Sequence, residues 1–243
     1  MPEHFQLVLR SSHMLAPSVR HLSFARADGA PLPYIAGQFL QVHFPIDGVA
    51  KKRSYSVANS PGAELLDMAV SYVEGGAATA LLSALEVGEE IEASGPYGRF
   101  CLQPKDENRR YLLIGTGTGV TPYRAMLPGL AQAHAERGIE VALLFGSRNA
   151  SEVLYAEEFQ AFAKLHSWFR FIPCLSREPR DCGWAEDRRG YVQDALAELQ
   201  PSAETDIAYL CGNPNMVDAC FEQLKQAGLP VPKIRREKYI SSR

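Results

Sequence analysis

The feature that most constrains the fold is a change of pattern near Pro104-Lys105-Asp106-Glu107-Asn108. Before this polar stretch, short alternating apolar runs are broken every few residues by Gly or Pro. After it, apolar runs alternate with segments of helical period. Two such patterns in one chain imply two domains, expected at 1–104 and 105–243.

In the first half, Phe5–Leu9, Val19–Ala25, Phe39–Phe44, Ser54–Val57, Leu66–Val73 and Glu90–Ala93 read as strands. Many short strands with frequent turns predict a six-stranded antiparallel barrel. One helix is expected over Ala77–Leu85, where Ala and Leu dominate. In the second half, Tyr111–Ile114, Val141–Phe145, Phe169–Leu175, Ile207–Cys211 and Ile234–Tyr239 read as strands. Helices are expected from Pro122, near Glu157–Leu165, at Tyr191–Leu199 and at Pro214–Gln226. That alternation predicts a five-stranded parallel sheet with helices on both faces, so the chain as a whole is of β + α/β class. Thr121-Pro122 and Asn213-Pro214 each place a capping side chain before a proline suited to the first helical position. Pro128 should kink or shorten its helix, because it lacks an N–H and crowds the preceding turn.

Composition excludes more than it identifies. With 46% hydrophobic and 22% charged residues and a net charge of −3, the chain is an ordinary globular mixture without the cationic surplus that non-specific nucleic-acid binding needs. Its cysteines (Cys101, Cys174, Cys182, Cys211, Cys220) are odd in number and form no CxxC pair. Disulfide frameworks, zinc sites and an iron–sulfur cluster of its own are therefore not expected. Met1 to Val19 lacks a basic segment followed by an apolar core, and Arg124 interrupts the best apolar run, so neither a signal peptide nor a membrane span is read and the cytoplasm is the expected location.

Three segments carry chemistry. Gly115-Thr116-Gly117-Thr118-Gly119 follows a strand and opens a helix, where glycines allow a pyrophosphate to approach and the helix N-terminus favours its charge. Val120 replaces the last glycine of the usual spacing, and a plain tight turn fits the segment equally well. The next strand ends in Gly146-Ser147-Arg148 with no acid directly after it. A hydroxyl and a guanidinium suit a 2′-phosphate, favouring NADP over NAD, unless Arg148 is simply a surface residue. Arg53-Ser54-Tyr55-Ser56 offers a cation, a flat ring and small donors to a phosphate-bearing flat ligand, although an ordinary edge strand explains it more simply. The basic clusters Lys51-Lys52-Arg53, Arg109-Arg110 and Arg235-Arg236 with Lys238 fit solvated edges as well as they fit a landing place for an acidic partner.

Six motifs then coincide in order: Gly37-Gln38-Phe39, Arg53 to Ser56, Gly75-Gly76-Ala77-Ala78-Thr79, Gly95-Pro96-Tyr97-Gly98, Gly115 to Pro122, and Cys211-Gly212-Asn213-Pro214 with Met216. In this order they resemble the ferredoxin–NADP reductase superfamily over nearly the whole chain. The resemblance implies an FAD-binding barrel followed by an NADP-binding domain. Arg53 would bind the FAD pyrophosphate, Tyr55 would lie on one flavin face, and Ser56 would approach N5. Ser54, Val70, Tyr72, Gly76, Ala77, Ala78, Thr79, Thr118, Tyr239 and Ile240 would complete the FAD contacts. Gly117, Thr118, Gly119, Arg148, Ser176, Arg177, Arg189, Cys211, Asn213 and Met216 would hold NADP(H).

The resemblance further implies that Ser56, Cys211, Glu237 and Tyr239 serve catalysis. Glu237-Lys238-Tyr239 resembles the Glu-x-Tyr ending of plant-type members, and Ile240–Arg243 departs from it as an extension. The implied activity is hydride transfer between NADP(H) and FAD with one-electron exchange to a ferredoxin or flavodoxin. A reductase of free flavin and a reductase component of an oxygenase system are the alternatives. Family members are often monomeric.

Overall fold

The computed structural model of the chain describes residues 3–46, 48–73, 75–103, 105–178, 180 and 183–239. They fall into two compact units, one drawn from 1–102 and 121–128, the other from 103–120 and 129–240.

In the first unit, β1 (Glu3–Ala16), β2 (Val19–Arg26), β3 (Phe39–Ile46), β4 (Val49–Ser56), β5 (Leu66–Ser71) and β6 (Glu90–Tyr97) form one sheet in the order β4-β3-β6-β1-β2-β5. All of its pairings are antiparallel, and the edge strands β4 and β5 meet, so the sheet curls into a barrel. The alternation seen in the sequence is the cause. Phe5, Leu7 and Leu9 of β1 and Leu40, Val42 and Phe44 of β3 all point into one core with Leu22, Phe24, Met68 and Ile91. Each such side chain removed from water contributes about 2 kcal/mol. The helix α1 (Ala77–Ala84) adds Ala78 and Leu82 to that core.

The barrel also explains its glycines. Gly37 sits at φ +99°, and a Cβ there would run into the Phe100 backbone and lie 2.7 Å from the Met126 methyl. A Cβ on Gly98 would stand 3.0 Å from the Phe39 ring. Between them, the Gln38 side chain accepts from Ile35 N at 2.8 Å and donates to the Gly98 carbonyl at 3.4 Å.

In the second unit, β7 (Arg110–Thr116), β8 (Glu140–Ser147), β9 (Phe169–Leu175), β10 (Arg188–Arg189), β11 (Asp206–Gly212) and β12 (Ile234–Lys238) form a parallel sheet in the order β10-β9-β8-β7-β11-β12. Its helices are α2 (Thr121–Arg137), α3 (Ala156–Leu165), α4 (Val192–Glu198) and α5 (Pro214–Gln226), with α2 contributing 121–128 to the first unit. Leu112, Ile114, Ala142, Leu144, Ala208 and Leu210 of the sheet pack on α4 and α5 through Leu196, Val217, Phe221 and Leu224.

Several expectations need correction. The parallel sheet has six strands, not five, because the two-residue β10 is too short and too charged to show a period. β4 begins at Val49 rather than at Ser54, so the basic run Lys51-Lys52-Arg53 lies inside a strand. Thr121 is the first residue of α2 rather than its cap; a 3₁₀ turn, Gly117–Val120, precedes it. Pro128 does not shorten α2, which continues to Arg137 and stops at Gly138, where φ is 65° and the N–H returns to the His134 carbonyl at 2.7 Å. Asn213 does cap α5, its side chain accepting from Asn215 N. No described helix is long and apolar enough to cross a membrane.

Candidate functional site

The site residues of the first unit cluster on β4, β5 and the start of α1. Within β4, Ser56 pairs with Phe39 and Tyr55 with Leu40. Ser56 is buried, whereas Arg53 and Ser54 are exposed. Tyr55 is half-buried, and burial pushes its phenol up to about 12, so its ring presents a neutral flat face at working pH. Val70 is buried in β5, and Tyr72 just beyond it is 56% exposed.

Gly75 turns the chain at φ +74° with nothing near its missing Cβ. Gly76 caps α1, and a Cβ there would stand 3.0 Å from the Val73 carbonyl oxygen and 3.1 Å from Thr79 Oγ1. No side chain caps this end and no acid lies in the first turn, so the first N–H groups remain available to an anion. A cation, a flat ring and an uncapped helix start are the donors a flavin dinucleotide requires, and the residues present fit it.

In the second unit, the strand order reverses at β7, with β8 on one side and β11 on the other. Ligands of parallel sheets lie beyond the strand ends at such a point. Gly117 turns there at φ +54°, with open space beside it. A Cβ on Gly119 would lie 2.6 Å from the Cys211 carbonyl carbon and 2.7 Å from Gly212 Cα, so only glycine lets the turn close on β11. Asn213 N donates to Thr116 Oγ1 at 3.0 Å, tying the ends of β7 and β11 together. Met216 is buried beneath, against Cys220.

Cys211 and Glu237 are register partners across β11 and β12. Tyr239 N donates to the Gly212 carbonyl at 2.8 Å, which returns the tyrosine to the end of β11. The Cys211 thiol is held well above its ordinary range by complete burial and by the Glu237 charge, against a hydrogen bond from the Tyr239 side chain. Burial raises the Glu237 carboxyl to about 7. The pair thus consists of a neutral thiol and a carboxyl that changes charge near neutrality.

The expected nucleotide-phosphate residues lie at the ends of β8, β9 and β10. Ser176 N and Arg177 N donate to the Ser147 and Arg148 carbonyls at 3.0 and 2.9 Å, zipping two loops together. Arg148, Arg177 and Arg189 are exposed. Sequence reading missed that Arg148 is held by Glu152, with Nε 2.9 Å from Oε2. Their i,i+4 spacing was the available signal. Ile240 and Pro179 lie outside the described residues, as do Ser241, Ser242 and Arg243.

This arrangement defines a class: an oxidoreductase with one unit for a flavin dinucleotide and one for a nicotinamide dinucleotide. The family model of the oxidoreductase FAD-binding domain matches residues 6–101, and that of the oxidoreductase NAD-binding domain matches residues 113–222. Ferredoxin–NADP reductase B of Sorangium cellulosum is 37% identical over 245 residues, covering 98% of each chain. The aromatic O-demethylase reductase subunit of an Amycolatopsis strain is 36% identical, over 86% of this chain and 62% of its own. Among solved structures, the Amycolatopsis cytochrome P450 reductase GcoB gives a TM-score of 0.86 at 33% identity, over 98% of this chain and 70% of that one. The chain belongs to the ferredoxin–NADP reductase superfamily and is an FAD- and NAD(P)-binding oxidoreductase. It spans nearly all of the Sorangium relative but less than two thirds of the O-demethylase subunit.

Proposed function

We propose that the chain takes hydride from NADPH and delivers single electrons to a ferredoxin or flavodoxin. The observation that carries this reading is the joining of Cys211, Glu237 and Tyr239 at the ends of β11 and β12. Likeness to a ferredoxin–NADP reductase over 98% of both chains supports it.

When bound, FAD supplies the hydride acceptor and the conversion from two-electron to one-electron transfer. Arg53 and the first turn of α1 would hold its phosphates, while Tyr55 would offer a ring and Ser56 a hydroxyl to the isoalloxazine. Val70 and Tyr72 line the same ligand. Gly117, Thr118 and Gly119 would admit the nicotinamide nucleotide, with Asn213 and Met216 of the neighbouring β11–α5 segment helping to hold it. Cys211 keeps its proton and presents an uncharged sulfur. The Glu237 carboxyl can hold or release a proton near pH 7. Tyr239, held at the end of β11, would offer its ring to the nicotinamide nucleotide. Ser176, Arg177 and Arg189, with Arg148, receive the 2′-phosphate. The protein works in the cytoplasm as a monomer.

A second reading, a reductase component of an oxygenase system, is favoured by the Glu152 carboxylate, which already occupies one edge of Arg148 and weakens its claim on a 2′-phosphate. Several relatives, of which the chain covers 59–69%, are reductase components of monooxygenases or a dioxygenase.

Steady-state rates with NADPH and NADH, each against ferredoxin, flavodoxin and free flavin, test both readings. NADPH should be preferred, the protein should keep stoichiometric FAD through gel filtration, and a protein carrier should be reduced. Preference for NADH favours the oxygenase reading. A colourless protein that reduces only added flavin would refute both.

A further inference from the structure

The helix α1 contains eight residues, with no acid in its first turn and no base in its last. A helix this short is marginal on its own, and its last carbonyls find no cation within the segment. The cation comes instead from β2. Arg20 Nη1 donates to the carbonyls of Leu82 at 3.2 Å and Ser83 at 2.7 Å. Its Nη2 donates to Ser12 Oγ at 2.7 Å and reaches the Leu85 carbonyl at 3.5 Å. Arg20 is itself fixed from below, because it pairs with Met14 of β1 and Val70 of β5 in the barrel ladder.

One guanidinium therefore gathers three carbonyls from the end of a helix and ties them to a rigid sheet. A cation at this end satisfies the orphan carbonyls and complements the helix dipole. It also fixes the axis of α1, and with it the direction in which the first-turn N–H groups point. Such groups bind an anion well only when they are held in place before it arrives.

We propose that Arg20 is a positioning residue for the flavin dinucleotide, holding α1 by its C-terminus so that its first turn meets the FAD pyrophosphate. This rests on the reading of Gly76 to Thr79 as the phosphate-binding turn. Arg20 touches no phosphate itself; it acts through the helix.

The test uses the full chain freed of flavin, titrated with FAD and with riboflavin, which carries the same ring system but no phosphate. Binding is read from flavin fluorescence, and folding from circular dichroism. Arg20→Met should weaken FAD binding roughly tenfold while leaving riboflavin binding as in the wild type. Arg20→Lys, which keeps the charge, should fall between the two. Ser12→Ala, which removes one partner of the guanidinium, should shift FAD binding in the same direction by less. An unchanged FAD affinity in Arg20→Met, or equal losses for FAD and riboflavin, overturns the proposal, the second result marking a merely structural role. Should Arg20→Met not fold, unchanged FAD affinity in both milder variants overturns it equally. A wild-type chain that does not distinguish FAD from riboflavin overturns the phosphate-turn reading and the proposal with it, and that failure is visible before any substitution is made.

Discussion

At the scale of single residues, Glu237 has the most testable state. Its carboxyl rises from an ordinary 4.5 to about 7 because β12 and its neighbours bury it. The folded chain thus holds this proton more tightly than the unfolded chain does. The resulting stabilisation is complete below about pH 4.5 and is lost as pH rises through 7. Glu237→Gln mimics the protonated state at every pH. Denaturant unfolding should find the variant equal to wild type at low pH and more stable at pH 8, by up to about 3 kcal/mol. A wild-type pH profile unchanged in the variant would show that Glu237 does not titrate there. The residue types of this site were legible in the sequence, but its grouping was not. Cys211 and Glu237 stand 26 positions apart in number (237 − 211), and only the parallel register of β11 and β12 makes them neighbours. Arg20 left no local signal for its role at α1, since the carbonyls it gathers lie 62 and more positions away.

At the scale of elements, the turn before α2 illustrates how tightly the site is packed. A methyl group on Gly119 has no room against the end of β11. Gly119→Ala should cost about 2 kcal/mol of stability, as overpacked sites do, and should raise the KM for nicotinamide nucleotide more than it lowers kcat. Thermal melting and steady-state kinetics together check this; an unaltered melting temperature would mean that the turn yields easily. Period and turn chemistry made most elements readable, because core-facing residues of β1, β3 and β7 alternate or run together as their burial requires. What was not readable had physical reasons. The strand β4 is exposed from Val49 through Ser54, so no buried face marks it. Pro128 is tolerated within α2 because packing outweighs the one backbone bond it removes.

At the scale of the whole molecule, charge is what the sequence shows without a structure. Lys51 and Lys52 stand exposed on the edge strand β4, where lysines also discourage pairing with stray strands. If they steer an acidic electron carrier, Lys51→Glu with Lys52→Glu should slow reduction of ferredoxin about tenfold at low salt, and the difference should vanish near 1 M, where charges are screened within about 3 Å. A rate flat across ionic strength removes that role and leaves edge protection as their use.

The order of strands in the parallel sheet also has a consequence in time. β7, β8 and β9 follow one another through single helices and pair as neighbours, so their loops are short to close. β11 must come back to β7 across the whole of that span, and the Arg110–Asp206 ion pair at the start of the two strands joins residues 96 positions apart. Closing the longer loop costs more chain entropy and is reached later. Cys211 and Glu237 can pair within their own strand–helix–strand unit, and that unit should join β7 in the last stage of folding.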